Sequence, residues 1–256
     1  MAKVSIITVT YNAETVLEKT ILSVLNQTDS DYEYILVDGN SADGTFDLIK
    51  KYESKLENKE FPFSKDNFRW ISEPDAGLYD AMNKAIKLSS SEFLWFINAG
   101  DKIYAPTTLS KIKHAIQENP NADIFYGQSL IIDESEHPLG ERHKIAPEIL
   151  KKESLLGGLV VCHQSIVVRK SIAPFYDLQY KVSSDYDWTI KVLSQSKRNH
   201  YIDDYLSKFM VAGLSSKQRK ISWKERYLIM KKHFGIAKTV WAHGKIMVKY
   251  PFTRKY

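Results

Sequence analysis

The strongest constraint in this chain is a fourfold alternation of short apolar runs and helical segments across its first 117 residues. Residues 4–9 are apolar and β-branched, the pattern of a strand buried on both faces. Asn12 then offers a turn or cap, and Val16, Ile21, Val24 and Leu25 recur at helical spacing. The same order returns three times. Strand-like 34–37 precedes a turn-rich 38–44 and a helical 45–52; strand-like 68–71 precedes the loop 72–77 and a helical 78–88; strand-like 93–97 precedes 98–101 and a helical 107–117. Repeated strand–helix units predict an α/β fold, a mostly parallel, doubly wound sheet with helices on both faces.

Sheets of this kind take ligands at the carboxyl ends of their strands. Here those ends carry Thr8 to Asn12, Asp38 to Thr45, Glu73-Pro74-Asp75 and Asn98 to Asp101, so polar residues and Gly turns gather at one edge. The same residue types also serve as turns and helix caps. Neither G-x-G-x-x-G nor G-x-x-x-x-G-K-[ST] follows the first strand, so a dinucleotide site or a P-loop lacks its phosphate cradle.

These segments resemble family 2 glycosyltransferases of the GT-A fold. The resemblance is carried by 5–12 (SIITVTYN), 23–28 (SVLNQT), 37–45 (VDGNSADGT) and 72–85 (SEPDAGLYDAMNKA). It covers about residues 3–105, thins over 120–206 and is absent from the tail. The branch it is most similar to builds bacterial capsule, exopolysaccharide or O-antigen repeat units. It implies a GT-A domain over 1–206, with a nucleotide-binding half (1–105) and an acceptor-binding half (106–206); the charge of 207–256 adds a basic helical extension.

A nucleotide-sugar donor, most simply a UDP-sugar, is then expected, and its departing diphosphate needs its charge neutralised. A divalent ion, Mg2+ or Mn2+, suits that task. The resemblance gives the metal to Asp101, although Asn98 and Gly100 stand where the family often has acids. It gives the nucleoside to Asp38 and Asp75, with Gly77 permitting close approach and Thr8, Thr10 and Asn12 lining the pocket. Donor sugar or phosphate would fall to Asp80, Asn83, Lys84, Asn98, Ala99 and Gly100.

Direct displacement also needs a carboxylate to take the acceptor hydroxyl's proton. Segment 181–191 resembles the family's Glu-Asp motif, with Ser184 in place of Glu and Asp185 at the base position. Asp187 is the next candidate. Gly157-Gly158 reads as a hinge into an apolar strand over 159–162, with Gly158 and His163 bordering acceptor or phosphate. Plainer readings stay open for several of these groups: an Asx-turn for Asp38, an i,i+4 pair for Asp80 and Lys84, a helix cap for Asp185 and a buried structural imidazole for His163.

Charge and cysteine content narrow the setting. From Ser207 onward thirteen Lys and Arg face one acid, Glu225, so the net +5 divides into +12 for the last fifty residues and −7 for the rest. Trp223, Tyr227, Met230 and Phe234, with lysines between them, suit an amphipathic basic helix, and Val240, Trp241, Tyr250 and Phe252 add apolar groups. Such a tail fits an anionic membrane surface or a helical pair docked on its own domain. Cys162 is the only cysteine, which rules out an intrachain disulfide and points to a reducing cytoplasm. The N-terminal apolar run is too short for a signal peptide, and no run of about 18 apolar residues is present.

Together these features predict an inverting, metal-dependent transferase, cytoplasmic and peripheral on the inner face of the membrane. Its acceptor would be a lipid-diphosphate-linked sugar. The body's acidity argues against nucleic acid, and homo-oligomerisation stays open. Two other classes remain: a sugar nucleotidyltransferase, which would need a Gly-rich basic loop absent from 8–13, and a non-catalytic nucleotide-sugar-binding or membrane scaffold protein.

Overall fold

The computed structural model describes residues 4–133, 135–141, 144–210 and 218–249. Its first half follows the alternation: β1 (Val4–Thr10), α1 (Glu14–Leu25), β2 (Glu33–Asp38), α2 (Thr45–Glu57), β3 (Phe68–Ser72), α3 (Leu78–Leu88), β4 (Phe93–Phe96) and α4 (Thr108–Glu118). These four strands lie parallel in the order β3-β2-β1-β4. Every residue of β1, β2 and β4 is buried, as covering helices on both faces require.

Successive side chains along a strand go to opposite faces, and two cores result. Ile7, Val9, Ile35, Val37, Leu94 and Phe96 meet α3 on one face. Val4, Ile6, Tyr34, Leu36, Phe93 and Trp95 meet α1, α2 and α4 on the other. The register sets Thr10 beside Asp38 and Asp38 beside Ser72, which makes a polar row along the carboxyl edge.

The second half is mixed. It adds β5 (Lys102–Ile103), β6 (Ile124–Ile132), β7 (Pro138–Glu141), β8 (Ile166–Arg169), α5 (Ser184–Gln195) and β9 (Asn199–Met210). The sheet continues β4-β8-β6-β9-β5, with β7 paired to β6. β8 runs antiparallel to both β4 and β6, whereas β6 and β9 are parallel. The expected strand at 159–162 is not one: Lys152–Gly157 and His163–Ser165 are 3-10 turns, and the strand starts at Ile166. The Gly-Gly turn and the buried polar ends of His163 and Gln164 leave the apolar run without a ladder partner.

Two helices complete the described chain, α6 (Arg219–Phe234) and α7 (Ile236–Lys249), turned about Gly235. A boundary at 206 falls inside β9, and Ile229, Met230 and Ala242 join the core cluster on the α3 face. The buried stripe of α6 differs from the expected one. Met230 is buried and Phe234 packs against the core as expected, but Trp223 is 44% exposed and the inward face carries Glu225 and Ile229 beside Met230. Ile221, Leu228, Ile236, Val240 and Trp241 are exposed as well. Tyr250 and Phe252 lie outside the described residues, and no helix among those described is long and apolar enough to cross a membrane.

This packing sets a contrast within one helix. Ile229→Ala removes a fully buried side chain and is expected to cost about 2–4 kcal/mol in urea unfolding. Trp223→Ala should cost less than about 1 kcal/mol. Equal, small effects would show that α6 contributes nothing to the core.

Candidate active site

The polar row on the carboxyl edge largely satisfies itself. Buried Asp38 accepts hydrogen bonds from Ser41 N (3.1 Å), Ser41 Oγ (2.5 Å) and Ser72 Oγ (2.6 Å), which fixes the start of the 39–44 loop. Asn12, at φ 47°, accepts from Ala42 N at 2.9 Å, and its own N–H donates to Ser41 Oγ. Thr8 Oγ1 donates to the Ile97 carbonyl (2.8 Å) and accepts from Tyr34 Oη, so its hydroxyl is used within the core. Thr10 Oγ1 is different: it is buried and has no partner.

Asp75 approaches this row through Gly39. A Cβ at position 39 would stand 2.5 Å from Asp75 Oδ2 and 3.2 Å from Tyr11 Cδ2. Glycine there lets an acid and an aromatic ring come together, and the Tyr11 ring is 64% exposed. Sequence reasoning gives Tyr11 no role; its signal is an aromatic residue set directly after a fully buried strand. A planar base would find a stacking face and hydrogen-bond acceptors in one place.

The neighbouring loop is held from α3. Gly77 has φ 119°, a region other residues avoid, and its N–H donates to Asp75 Oδ1 at 2.8 Å. Asp80 Oδ2 accepts from Ala76 N, and Lys84 Nζ donates to the Pro74 carbonyl (2.7 Å) while pairing with Glu73 (2.9 Å). Buried Asn83 exchanges two hydrogen bonds with the Tyr176 backbone, 3.0 and 2.7 Å. Asp80 and Lys84 thus shape the loop that carries Asp75, and Asn83 fixes the segment that carries Tyr176.

Asp101 closes the 98–101 turn, its N–H donating to the Asn98 carbonyl at 2.9 Å, while Gly100 and Ala99 donate to Thr20 Oγ1 and the Val9 carbonyl. Its carboxyl accepts from Gln164 Nε2 (2.6 Å) and from Met210 N (3.1 Å). Burial pushes it up to about 7, more than these hydrogen bonds bring it down. Asn98 Oδ1 is buried without a partner in the same turn. An unpartnered amide oxygen beside a carboxylate that resists ionising is a donor set a hard cation would satisfy. No group of three His, Cys, Asp or Glu that could hold a metal gathers among the described residues. If a cation binds here, Asp101 and Asn98 would supply only part of its coordination shell, and ligand phosphates and water the rest.

Asp185 lies at the opposite end of a buried aromatic cluster. Tyr79 Oη donates to Asp185 Oδ1 at 3.2 Å, and the Tyr79 ring stacks on Tyr176, which stacks on Trp188. Tyr176 Oη meets His163 Nε2 at 2.7 Å, and Gln164, the next residue, holds Asp101. Contacts through Gln164, its chain neighbour His163, Tyr176 and Tyr79 thus link Asp101 to Asp185. His163 is walled in by Phe96, Tyr176 and Trp188, and burial lowers its pKa to about 4, so the imidazole is neutral.

The two candidate bases part company. Asp187 is fully buried and pairs with Lys191 (2.5 Å), His233 (2.7 Å) and Lys232 (3.5 Å). Against a desolvation that acts upward, these partners bring its pKa down to about 2. It belongs to the α5–α6 interface, whereas Asp185 meets Tyr79. Just before α5, Glu225 accepts from the N–H groups of Lys181 (2.8 Å), Val182 (3.0 Å) and Ser183 (2.9 Å). The one acid of the basic tail therefore secures the loop that leads into Asp185, a role whose sequence signal is its isolation among cations. Gly158, at φ 103°, ends the 3-10 turn over Lys152–Gly157, its N–H donating to the Leu155 carbonyl.

Comparison with known proteins bears on the family and the fold. The model described as glycosyl transferase family 2 matches residues 5–173. A PGL/p-HBAD biosynthesis glycosyltransferase of Mycobacterium tuberculosis is 31% identical over 194 residues, covering 74% of this chain and 69% of that protein. Among solved structures, Staphylococcus aureus TarS 1–349 in complex with UDP-GlcNAc superposes with a TM-score of 0.70 at 17% identity, over 99% of this chain and 76% of that one. The mannosyltransferase PcManGT of Pyrobaculum calidifontis, in complex with GDP-Man and Mn2+, gives 0.60 at 14% identity, over 96% and 75%. These two likenesses establish the shared fold.

The Asp101 carboxyl makes a prediction with a definite sign. A folded pKa above the unfolded value means that the folded chain holds the proton more tightly. The stabilisation is complete below about pH 4 and is lost as pH rises through 7. Asp101→Asn should therefore flatten the fall in metal-free stability between pH 5 and pH 8, read from urea midpoints. An unchanged pH slope would mean that Asp101 is ionised throughout.

Proposed function

Because the chain belongs to glycosyl transferase family 2 and is thus a glycosyltransferase, we propose that it transfers a hexose or N-acetylhexosamine, with inversion, from a UDP-sugar to a membrane-lipid-linked saccharide in surface polysaccharide synthesis. The observation that carries this reading is Asp185, held by Tyr79 and joined through Tyr176, His163 and Gln164 to Asp101. In this reading Asp185 is the base and Asp101 the cation-seeking carboxylate, and the contacts between them support treating the two as one site. In-line displacement uses such a pair: the acceptor oxygen attacks the anomeric carbon from one side as the nucleoside diphosphate leaves on the other.

In this mechanism Asp185 accepts the acceptor hydroxyl's proton as the new bond forms. Asp101, with Asn98 Oδ1 in the same turn, would hold Mg2+ or Mn2+; that ion, when bound, neutralises charge on the departing diphosphate. Tyr11, Asp75 and the free hydroxyl of Thr10 line the nucleoside position, and the Asp38 turn fixes the loop beneath it. Association with an anionic leaflet is supported by the exposed Trp223, Ile236, Val240 and Trp241, set among Lys220, Lys224, Lys231 and Lys238.

Asp185→Asn is expected to lower transfer at least about 100-fold while leaving UDP affinity in calorimetry unchanged. Transfer that survives the substitution would overturn the base assignment. Asp187→Asn should act on stability instead, costing about 1–3 kcal/mol through the loss of buried ion pairs. A loss of transfer in a fully stable Asp187 variant would exchange the two roles.

A further inference from the structure

Gln164 joins the middle of the sheet to the turn that carries Asp101. It lies in the 3-10 turn His163–Ser165, directly before β8, and its main chain is anchored from β4, where Trp95 Nε1 donates to the Gln164 carbonyl at 2.8 Å. The following residue is held as firmly. Ser165 Oγ lies 2.7 Å from Ser129 Oγ of β6 and 2.8 Å from Ser207 Oγ of β9, and it donates to the Gln128 carbonyl at 2.8 Å. A side chain that leaves this backbone starts from a fixed point. Gln164 is buried, so its amide must find partners inside the protein.

Both ends of that amide are used. Nε2 donates to Asp101 Oδ2 at 2.6 Å, and Oε1 accepts from the Cys162 thiol at 2.9 Å. The two contacts set the direction of the amide, its oxygen toward the thiol and its N–H toward the carboxylate. The other carboxylate oxygen, Oδ1, accepts from Met210 N at the end of β9, 3.1 Å away. Thr20 Oγ1 of α1 donates to the Asp101 main-chain carbonyl at 2.8 Å. Three separate parts of the chain therefore fix one acid. A carboxylate offers about four lone-pair positions, so one donor on each oxygen orients the group and leaves it acceptor capacity for a cation. No second acid stands in the 98–101 turn, so the direction of this single carboxylate carries more of the task than it would in a pair.

We propose that Gln164 is a positioning residue for cation binding: its amide holds the Asp101 carboxylate in the orientation in which it, with Asn98, receives a divalent ion. The inference rests on the reading of Asp101 as the acid that holds the ion. It extends that reading to a side chain spent on Asp101 and Cys162, and it makes the β4–β8 region of the sheet the support of the ion site. Donors that stand behind a metal-binding group commonly account for about 10–100-fold in metal affinity.

The test titrates UDP into the full chain by calorimetry twice, once with Mn2+ and once in EDTA. The ratio of the two affinities measures the metal-dependent part of binding. Wild type should bind UDP at least about tenfold more tightly with Mn2+. Gln164→Met, close in size but without a donor, should cut that ratio at least about fivefold, with affinity in EDTA within about twofold of wild type. Gln164→Asn keeps an amide but draws it back by one methylene, and should cut the ratio at least about threefold. Should Gln164→Met melt early, the Asn variant carries the test. An unchanged ratio in both variants would overturn the proposal. So would an equal loss with and without metal, or early melting of both variants, since a residue of the core alone gives those results. A wild-type ratio near one would instead overturn the reading of Asp101 as the cation's ligand, and the proposal with it.

Discussion

Parallel strands can be joined only by crossovers, and that single requirement brings the loops after β1, β2, β3 and β4 to the same edge. Their polar atoms leave a buried sheet together and have to satisfy one another or something else. Most do so locally. Asp38 takes Ser41 and Ser72, Asn12 takes Ala42, and Lys84 takes Pro74. What stands out is the short set that does not: Thr10 Oγ1 and Asn98 Oδ1 are buried and unpartnered, and Asp101 is held close to neutrality by burial. On an edge where most polar groups satisfy one another, these are the groups a ligand would find unsatisfied.

The second half supplies what the edge lacks. Gln164 reaches Asp101, Tyr176 stacks under Tyr79, and α5 brings Asp185 to the far end of the same cluster. The charge division noted in the chain also acquires a location. The basic C-terminal helices meet the acidic body at the first turns of α5, where Asp187 takes Lys232 and His233 and Glu225 takes three backbone donors. Attraction between the two halves is concentrated at the helix that carries Asp185 and Asp187. The lysines facing away from this contact remain available to a surface outside the protein.

The first half is legible from local pattern because its elements are specified locally. β1 begins and α3 begins and ends where the apolar runs and turns indicate, since a β-branched run and a 3.6-residue repeat both lie within a few residues. The second half is not legible in this way. β8 has four residues and is a strand because β4 and β6 lie on either side of it. The inward face of α6 carries Glu225 and Ile229 beside the expected Met230, while Trp223, the first residue of the expected stripe, faces outward. Asp185 and Asp187 are indistinguishable as two acids in a first helical turn; their difference comes from Tyr79 on one side and His233 on the other.

The place of β8 in the sheet has a consequence for how the chain is made. β4 is completely buried, yet one of its two neighbours, paired Trp95 to Val167, lies roughly seventy residues later. While the chain emerges from the ribosome, the four N-terminal strands can assemble early and expose Phe93–Phe96 as an open, apolar edge. Only after Arg169 has been synthesised can that edge be closed, and β9 must still join beyond β6. The nascent protein passes through an interval in which its best-formed half is also its most adhesive, a hazard inherent in closing the edge of an early sheet with a late strand.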